Sequence, residues 1–396
     1  MKGLIALLII LNAAFTTASA QWVSNGPYTG TVQCMAVSDS GIYAGLVYGG
    51  VYQSTDSGGS WVEVSNGLTD TFVYSLAIMG NMVFAGTYTG GVFRTTSNGA
   101  YWVQLDSGLV GGSSIVYCLA ASGSGIFAGT DDGVYLSADS GNTWLPVNGN
   151  ISINNISSLA LSGGSGILAG TSGSGVYLST NNGGVWSPVN NGLTDPLVLS
   201  LAADSPILYA GTDGGGVFYS ANNGSSWAAV NNGLTGYTTA IYSLLINGNT
   251  VYAGTDNGLF QSTNNGADWE QVGLGGIQIT SLAITDSIIY CGGDTGGVWY
   301  QPIALLTPST GIPPVPVQGR FKIYPNPSVG NWQLTVGNEL IGSALEIYDA
   351  EGRLVLKDEV RSTKYEVTAG TLASGIYIAT LKTATGLMTQ KLVVER

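Results

Sequence analysis

The chain has 396 residues, of which 60 are glycine and only 9% are charged, and its formal net charge is −13. So much glycine with so little charge favours many short strands and turns and argues against a helix-rich fold. The sequence contains no histidine, which excludes Ser-His-Asp and Cys-His nucleophile activation and disfavours a zinc enzyme.

The first twenty residues predict a signal peptide. Lys2 is followed by an apolar run over residues 4–11 and by Ala18, Ser19 and Ala20, an A-x-A-like cleavage pattern. The run is shorter than the roughly 20 residues that a membrane-spanning helix needs. We therefore expect residues 1–20 to be removed and the mature chain to be exported.

A repeat of about forty residues follows. Tryptophans recur at intervals of 39 to 42 residues, at Trp22, Trp61, Trp102, Trp144, Trp186, Trp227 and Trp269. Between them the chain carries short β-rich runs closed by Gly, Asn or Asp, which predict a four-stranded antiparallel sheet in each repeat. This period is typical of the blades of a β-propeller.

The number of blades comes from an Ala-Gly-Thr-like strand. Its copies start at Ala44, Ala85, Ala128, Ala169, Ala210, Ala253 and Cys291. The last block lacks its own tryptophan strand, whereas residues 22–24 form one that precedes any inner strand. We therefore predict an all-β chain in which residues 21–302 form a seven-bladed β-propeller. The N-terminal strand should complete blade seven and leave no open edge.

Three cysteines, Cys34, Cys118 and Cys291, cannot all pair within one chain. Cys34 and Cys118 occupy a column of the inner strands that other repeats fill with serine. Buried free thiols are therefore expected rather than a disulfide.

The turn before each of six tryptophans reads approximately S-x-D-x-G-x-x-W, as in residues 54–61, 137–144 and 262–269. This pattern resembles the Asp box of the bacterial neuraminidase repeat family. A structural role is expected, because the side chain at the Asp position accepts backbone N–H groups of its own turn and the glycine takes a positive φ. The Asp position holds Asp56, Ser97, Asp139, Asn181, Asn222 and Asn264.

The resemblance implies an architecture shared with sialidases, xyloglucan hydrolases, sortilin-type receptors and photosystem-assembly propellers, but function does not follow from the fold. A sialidase needs several arginines for the sialic carboxylate, and Arg94 is the only basic residue of the predicted propeller, beside sixteen acidic ones. This excess of negative charge also argues against nucleic acid or an anionic membrane as the partner.

The residue after each Ala-Gly-Thr-like strand gives the candidate ligand site. This column reads Val47, Tyr88, Asp131, Ser172, Asp213, Asp256 and Asp294, and we expect it on the face opposite the Asp boxes. The candidate ligand-binding residues are Asp131, Asp213, Asp256, Asp294 and Tyr88, for calcium or a hydroxyl-bearing sugar. Two alternatives remain: hydrolysis of a sugar by an acid pair ~5–9.5 Å apart, and Asp-Gly turns with no function beyond the turn itself.

Further tyrosines are expected in or beside loops, where their rings would stack on sugars or cover a protein epitope. They are Tyr28, Tyr48, Tyr74 and Tyr237, together with Tyr88. Tyrosine is also simply a good strand residue.

The composition changes after the propeller. Residues 303–319 contain four prolines and predict an extended linker. Residues 320–396 hold nine of the eleven basic residues and alternate in hydrophobicity, which predicts a small Ig-like antiparallel β-sandwich of about seven strands.

Four motifs in this C-terminal domain resemble the type IX secretion C-terminal sorting domain of the Bacteroidetes. The residues that carry the resemblance are Tyr324, Pro325, Asn326, Pro327, Gly375, Tyr377 and Lys391, together with the segment 347–353. The resemblance implies recognition by the type IX secretion machinery and passage across the outer membrane. It also implies removal of the domain and anchoring of the cargo to surface lipopolysaccharide.

The missing catalytic groups and the export signals together favour a secreted or cell-surface binding module. We expect the propeller to present one loop face to a glycan or a protein, without enzymatic activity and without a resident cofactor. The competing hypothesis is a glycoside hydrolase that uses two of the propeller-face aspartates. A third is a structural or assembly-assisting propeller, as the photosystem-assembly relatives suggest.

Overall fold

A computed structural model describes residues 22–27, 30–109, 115–123, 125–149, 155–234, 240–294 and 297–306, and in the C-terminal part residues 322–324, 332–336, 341–349, 354–367, 372–383 and 386–394. The predicted signal peptide lies outside these residues. The chain divides into two compact units, residues 1–273 with 278–308, and residues 309–396 with 274–277. Among the described residues no helix is long and apolar enough to cross a membrane.

The first unit consists of seven four-stranded antiparallel sheets, which confirms the predicted propeller. Strand β1 (Val23–Ser24) comes first. Blade one then contains β2 (Val32–Ser38), β3 (Gly41–Leu46), β4 (Gly50–Ser54) and β5 (Val62–Glu63). Blade two contains β6 (Val73–Met79), β7 (Met82–Thr87), β8 (Val92–Thr95) and β9 (Val103–Gln104). Blade three contains β10 (Val116–Ser122), β11 (Gly125–Thr130), β12 (Gly133–Ser137) and β13 (Leu145–Pro146).

The next three blades repeat this order. Blade four contains β14 (Ile156–Leu161), β15 (Ile167–Thr171), β16 (Val176–Ser179) and β17 (Ser187–Pro188). Blade five contains β18 (Val198–Asp204), β19 (Ile207–Thr212), β20 (Val217–Ser220) and β21 (Ala228–Ala229). Blade six contains β22 (Ile241–Asn247), β23 (Thr250–Thr255), β24 (Gly258–Ser262) and β25 (Glu270–Gly273).

Blade seven closes the ring. It contains β26 (Ile279–Ile284), β27 (Ile288–Gly293) and β28 (Val298–Pro302), which a 3₁₀ turn (Ile303–Leu305) follows. Its fourth strand is β1, in which Val23 pairs with Tyr300 and Ser24 with Trp299. The predicted closure by the N-terminal strand is therefore confirmed, and it covers an edge that would otherwise pair with another chain.

The first strand of each blade packs on the first strands of both neighbouring blades, so these inner strands ring the axis. The third residue of each inner strand is small and pairs with the glycine of the next strand, as Cys118 does with Gly129. Several of these residues donate to the first residue of the next inner strand: Cys118 Sγ to Ile156 O at 3.4 Å and Ser200 Oγ to Ile241 O at 2.8 Å. These hydrogen bonds join neighbouring blades.

All three cysteines are free, as predicted. Burial raises the pKa of the Cys34, Cys118 and Cys291 thiols, which disfavours the reactive thiolate. Their role is packing near the axis rather than chemistry.

The turn between the third and fourth strands of a blade has one geometry in six blades. Asp139 Oδ1, for example, accepts the Thr143 N–H at 2.9 Å, and Ser137 Oγ accepts the Gly141 N–H at 2.7 Å. The same backbone acceptance is made by Asp56, Ser97, Asn181, Asn222 and Asn264. Gly141 takes a φ of 90°, and Ser140 before it is also left-handed, at 61°. A neutral acceptor serves as well as a carboxylate in four of the six turns.

The second unit has two antiparallel sheets. One contains β29 (Lys322–Tyr324), β30 (Trp332–Thr335) and β33 (Lys364–Val367). The other contains β31 (Ala344–Asp349), β32 (Leu354–Glu359), β34 (Gly375–Thr383) and β35 (Gly386–Val394). Buried residues of both sheets, such as Trp332, Leu334, Leu345 and Ile347, form one core. The seven strands and shared core agree with the predicted small β-sandwich.

Candidate functional site

The candidate site lies on one face of the propeller, which we call the turn face. It carries the turns between the second and third strands of each blade and the connections that enter the inner strands. Because the strands are antiparallel, the Asp-box turns lie at the opposite ends of the strands. The column residues are fixed there by backbone bonds to those connections, as in Asp131 N to Ile115 O at 3.3 Å and Asp213 N to Leu197 O at 3.1 Å.

The second residue of every inner strand is bulged at this face. In blade three, Val116 pairs with Thr130 and Cys118 with Gly129, so Tyr117 has no partner across the ladder. The same shift occurs in the other six blades, at Gln33, Tyr74, Ser157, Leu199, Tyr242 and Thr280. A bulge re-aims a side chain and is common beside binding sites. All seven bulged residues are half-buried.

Five aromatic rings of blades one to three meet on the turn face, and we call them the aromatic cluster. Their members are Tyr48, Phe72, Tyr74, Tyr88 and Tyr117. Phe72 is central, with ring centroids 4.8 Å from Tyr48, 4.7 Å from Tyr74 and 5.5 Å from Tyr88. Tyr74 continues the cluster to Tyr117 at 5.4 Å with an interplanar angle of 63°. These distances are those of mutually attractive aromatic pairs.

The outer rings of the cluster face solvent. Tyr48 is 77% exposed and Tyr88 is 43% exposed. Tyr48 also has a φ of 57°, a left-handed conformation that is unfavourable for a bulky residue. The backbone at Tyr48 is therefore strained, and the large side chain that it carries faces water.

Asp70 holds the segments that carry Phe72 and Tyr88. Its carboxylate accepts the N–H groups of Phe72 at 3.0 Å, Thr89 at 2.6 Å and Gly90 at 2.9 Å. Burial opposes ionisation of this carboxyl, but these hydrogen bonds outweigh it and lower the pKa of Asp70. Asp195 makes the same bonds in blade five, to Leu197, Gly214 and Gly215. Neither residue was predicted from the sequence, although each precedes an inner strand by three residues.

Three of the candidate aspartates lie near one tyrosine on blades five to seven. Burial raises the pKa of Tyr242, a hydrogen bond to Gln278 lowers it, and the charges of Asp256, Asp213 and Asp294 raise it further. Tyr242 therefore marks the middle of an acidic arc on the turn face. Asp213 and Asp294 are exposed, whereas Asp256 is half-buried.

Two of the aspartates differ from the others in their surroundings. Asp131 Oδ1 and Asp256 Oδ1 are buried and have no hydrogen-bond partner among the described residues. Burial raises the pKa of Asp256. Each of the two aspartates shares its blade with a bulged tyrosine, Asp131 with Tyr117 and Asp256 with Tyr242.

The structure gives no support for calcium at the aspartates. Within the described ranges no three Asp, Glu, Cys or His side chains lie close enough together to hold a metal ion. Two shallow cavities, of about 140 and 280 Å³, border neighbouring blades at Ser38 and Asn98 and at Ser162 and Asn223. Both lie on the Asp-box face rather than on the turn face.

Of the predicted tyrosines, Tyr48, Tyr74 and Tyr88 come together, and Phe72 and Tyr117 join them. Tyr28 and Tyr237 lie outside the described residues, as do Pro325, Asn326 and Pro327 of the sorting motif. Tyr324, Gly375 and Lys391 lie in β29, β34 and β35. Tyr377 is buried in β34, and its hydroxyl donates to Ala373 O at 2.9 Å.

The C-terminal residues match a known family. Residues 322–395 fit the family of the secretion system C-terminal sorting domain. These residues form a sorting domain. It implies interaction with the type IX secretion machinery and export to the cell surface or the medium. No curated protein matches the chain in sequence.

Solved propellers resemble the chain in fold. YCF48 bound to D1 peptide is 19% identical with a TM-score of 0.59, and the match covers 71% of this chain and 96% of that one. PorZ, an essential surface component of the type IX secretion system of Porphyromonas gingivalis, is 16% identical with a TM-score of 0.54. That match covers 94% of this chain and 60% of PorZ.

The extracellular domain of the hybrid two component system BT3049 from B. thetaiotaomicron has a TM-score of 0.59 at 15% identity. The match covers 94% of this chain and 56% of that one. At these identities the likeness concerns the fold alone. The chain thus spans little more than half the length of PorZ and BT3049.

Proposed function

We propose that the chain is an exported, non-enzymatic binding module whose propeller holds a glycan or a protein on its turn face. The sorting domain directs the chain to export, and the propeller is the exported part that binds the ligand. On the pattern of the first twenty residues, the mature chain starts after residue 20. The resemblance of the C-terminal motifs further implies that the chain loses its sorting domain and is anchored to surface lipopolysaccharide.

The aromatic cluster carries this proposal. Its five rings pack against one another, and Tyr48 and Tyr88 still present ring area to solvent. Exposed aromatic rings on a rigid scaffold lose little conformational entropy on binding, and they dominate many recognition surfaces. The hydrogen bonds of Asp70 fix the segments that carry two of the rings, so the surface exists before the ligand arrives.

The similar structures support a binding role of this kind. One similar propeller is known with a bound peptide, and another is a surface component of the type IX secretion system. These likenesses favour a protein or a surface component as the ligand. The wholly acidic character of the turn face further favours a neutral or cationic ligand over an anionic one.

The test is a parallel screen of the full mature chain on a glycan array and a peptide array. The Tyr48→Ala/Tyr88→Ala double variant should not bind the array ligands that the wild-type chain binds. Tyr101→Ala is the matched control, because Tyr101 is 57% exposed but lies at an Asp-box turn. Equal loss in the control, or no binding on either array, would overturn the proposal.

Glycoside hydrolysis is a second candidate, favoured by one observation. Burial raises the pKa of Asp256, as a general acid requires. The full chain would then release reducing sugar from a glycan that the array identifies, and Asp256→Asn would abolish that release. Binding without release leaves the non-enzymatic proposal as it stands.

A further inference from the structure

Blades three and six share a feature that the other blades lack. Each combines a bulged tyrosine with an aspartate fourteen residues later in the column, Tyr117 with Asp131 and Tyr242 with Asp256. The other blades have at most one member of such a pair. Blade five, for instance, has Leu199 with Asp213.

The two pairs also share a tighter turn. Only two residues separate Thr130 from its partner Gly133, and two separate Thr255 from Gly258. In blades two, four and five the corresponding turns have three residues, since the N–H of Thr87 reaches the carbonyl of Gly91, for example. The aspartate of each pair directly follows the strand that pairs with the bulged strand. Asp131 and Asp256 are half-buried there, while Asp213 and Asp294 are exposed.

Each pair therefore combines two features that a cation needs. One is a carboxylate oxygen that is buried and has no donor among the described residues, Asp131 Oδ1 or Asp256 Oδ1. An unmatched buried acceptor is unfavourable until a donor reaches it. The other is the adjacent tyrosine ring, which attracts a cation through its π face. At blade three, Tyr74 also contacts Tyr117.

No cation of the propeller competes for these positions. Arg94 is the only basic residue between residues 22 and 306. Its guanidinium donates to the carbonyl oxygen of Ser140 at an Asp-box turn, on the opposite face. No basic side chain of the propeller therefore compensates the charge of these two carboxylates.

We infer that the Tyr117–Asp131 and Tyr242–Asp256 pairs are two sites for cationic side chains, so that the partner is a polypeptide segment carrying lysine or arginine. This inference rests on the proposed binding function and names the class of its ligand. An ammonium or guanidinium group would donate to the half-buried carboxylate and lie over the tyrosine ring. Two such sites on one face favour a segment with at least two basic residues.

The experiment measures binding of a pentalysine peptide to the full mature chain by calorimetry. The Asp131→Asn/Asp256→Asn double variant, which removes both charged contacts, should bind at least about tenfold more weakly. Asp132→Asn is the matched control, because Asp132 carries the same charge one residue away, is exposed, and has Asn257 as its counterpart in blade six. This control should stay within about twofold of the wild-type chain.

Nε-acetylated pentalysine, which has no side-chain charge, should not bind. If Asp132→Asn weakens binding equally, the effect is a general electrostatic attraction and the inference is overturned. Absence of pentalysine binding to the wild-type chain would also overturn it. If binding of an array ligand depends on Tyr48 and Tyr88 while pentalysine does not bind, the inference fails and the proposed function stands. If neither array yields a ligand, both fail.

Discussion

The indole N–H of Trp144 in blade three donates to the carbonyl oxygen of Leu105 in blade two, at 2.9 Å. Each buried tryptophan that follows an Asp-box turn repeats this bond to the preceding blade, as Trp186 does to Val147 and Trp269 to Val230. The tryptophan repeat therefore joins one blade to the next rather than serving only the blade that carries it.

Trp144→Phe tests this joining role. A six-membered ring remains, but the buried indole loses its pyrrole part and Leu105 O loses its donor, and we expect a cost of at least about 1 kcal/mol in the free energy of unfolding. Trp61→Phe is the control, because Trp61 Nε1 has no hydrogen-bond partner among the described residues. Urea denaturation followed by fluorescence should show the lower midpoint for Trp144→Phe. Equal midpoints would mean that the hydrogen bond adds nothing.

The close approach of neighbouring blades predicts the effect of a single added methyl group. A Cβ at Gly129 would lie 2.4 Å from Cys118 Sγ and 2.7 Å from Ile156 Cγ2, which belongs to blade four. Gly129→Ala should therefore destabilise the propeller by about 1–3 kcal/mol. A Cβ at Gly123 meets nothing within 4 Å, so Gly123→Ala should leave the thermal midpoint nearly unchanged. The account of blade packing is wrong if both variants behave alike.

Asp139 predicts a pH dependence. Hydrogen bonds from Thr143 and Ser137 lower the pKa of its carboxyl from 3.8 to about 2. Because the folded pKa is the lower one, the stabilisation is complete above pH 3.8 and is lost as the pH falls towards 2.

Asp139→Asn keeps a neutral acceptor, as in the turns of Asn181, Asn222 and Asn264. The difference in urea midpoint between wild-type chain and variant should therefore be constant above pH 4 and change between about pH 4 and pH 2. A difference that stays constant down to pH 2 would contradict the assignment of this pKa shift to Asp139.

The repeat made most of the fold predictable from sequence. The spacing of tryptophans and of Ala-Gly-Thr-like strands predicted seven blades, and the lone strand at Trp22 predicted the closure that β1 makes with β28. Each of these features recurs once per blade. The period of the sequence was therefore enough to predict the number of blades and the closure of the ring.

The aromatic cluster could not be predicted in the same way. Tyr74 and Tyr117 lie in Val-Tyr-Ser/Cys-Leu-Ala segments, whose composition is typical of strands covered on both faces by neighbouring blades. The bulge turns these two residues out towards the turn face, and no residue type in the segment marks it. Phe72 belongs to a connection that carries no repeat motif, so its central position appears only when blades one and two are assembled.

The aspartates show a second limit. Asp131, Asp213, Asp256 and Asp294 occupy one column and look equivalent in sequence. Asp131 and Asp256, the two half-buried ones, are those whose turn has two residues and whose blade carries a bulged tyrosine. The burial of an aspartate thus goes with the turn length and with the residue at the bulge of another strand. Neither feature is visible in a single column of the repeat.

Hydrogen–deuterium exchange of the full mature chain, with and without its best array ligand, tests the central claim most directly. The ligand should slow exchange in residues 46–50, 70–74, 86–90 and 115–118, which carry the aromatic cluster and the turns around it. Residues 55–60 and 97–102, in Asp-box turns, should exchange as before. Protection of the Asp-box turns with none on the turn face would contradict the account and place the binding surface on the other side of the propeller.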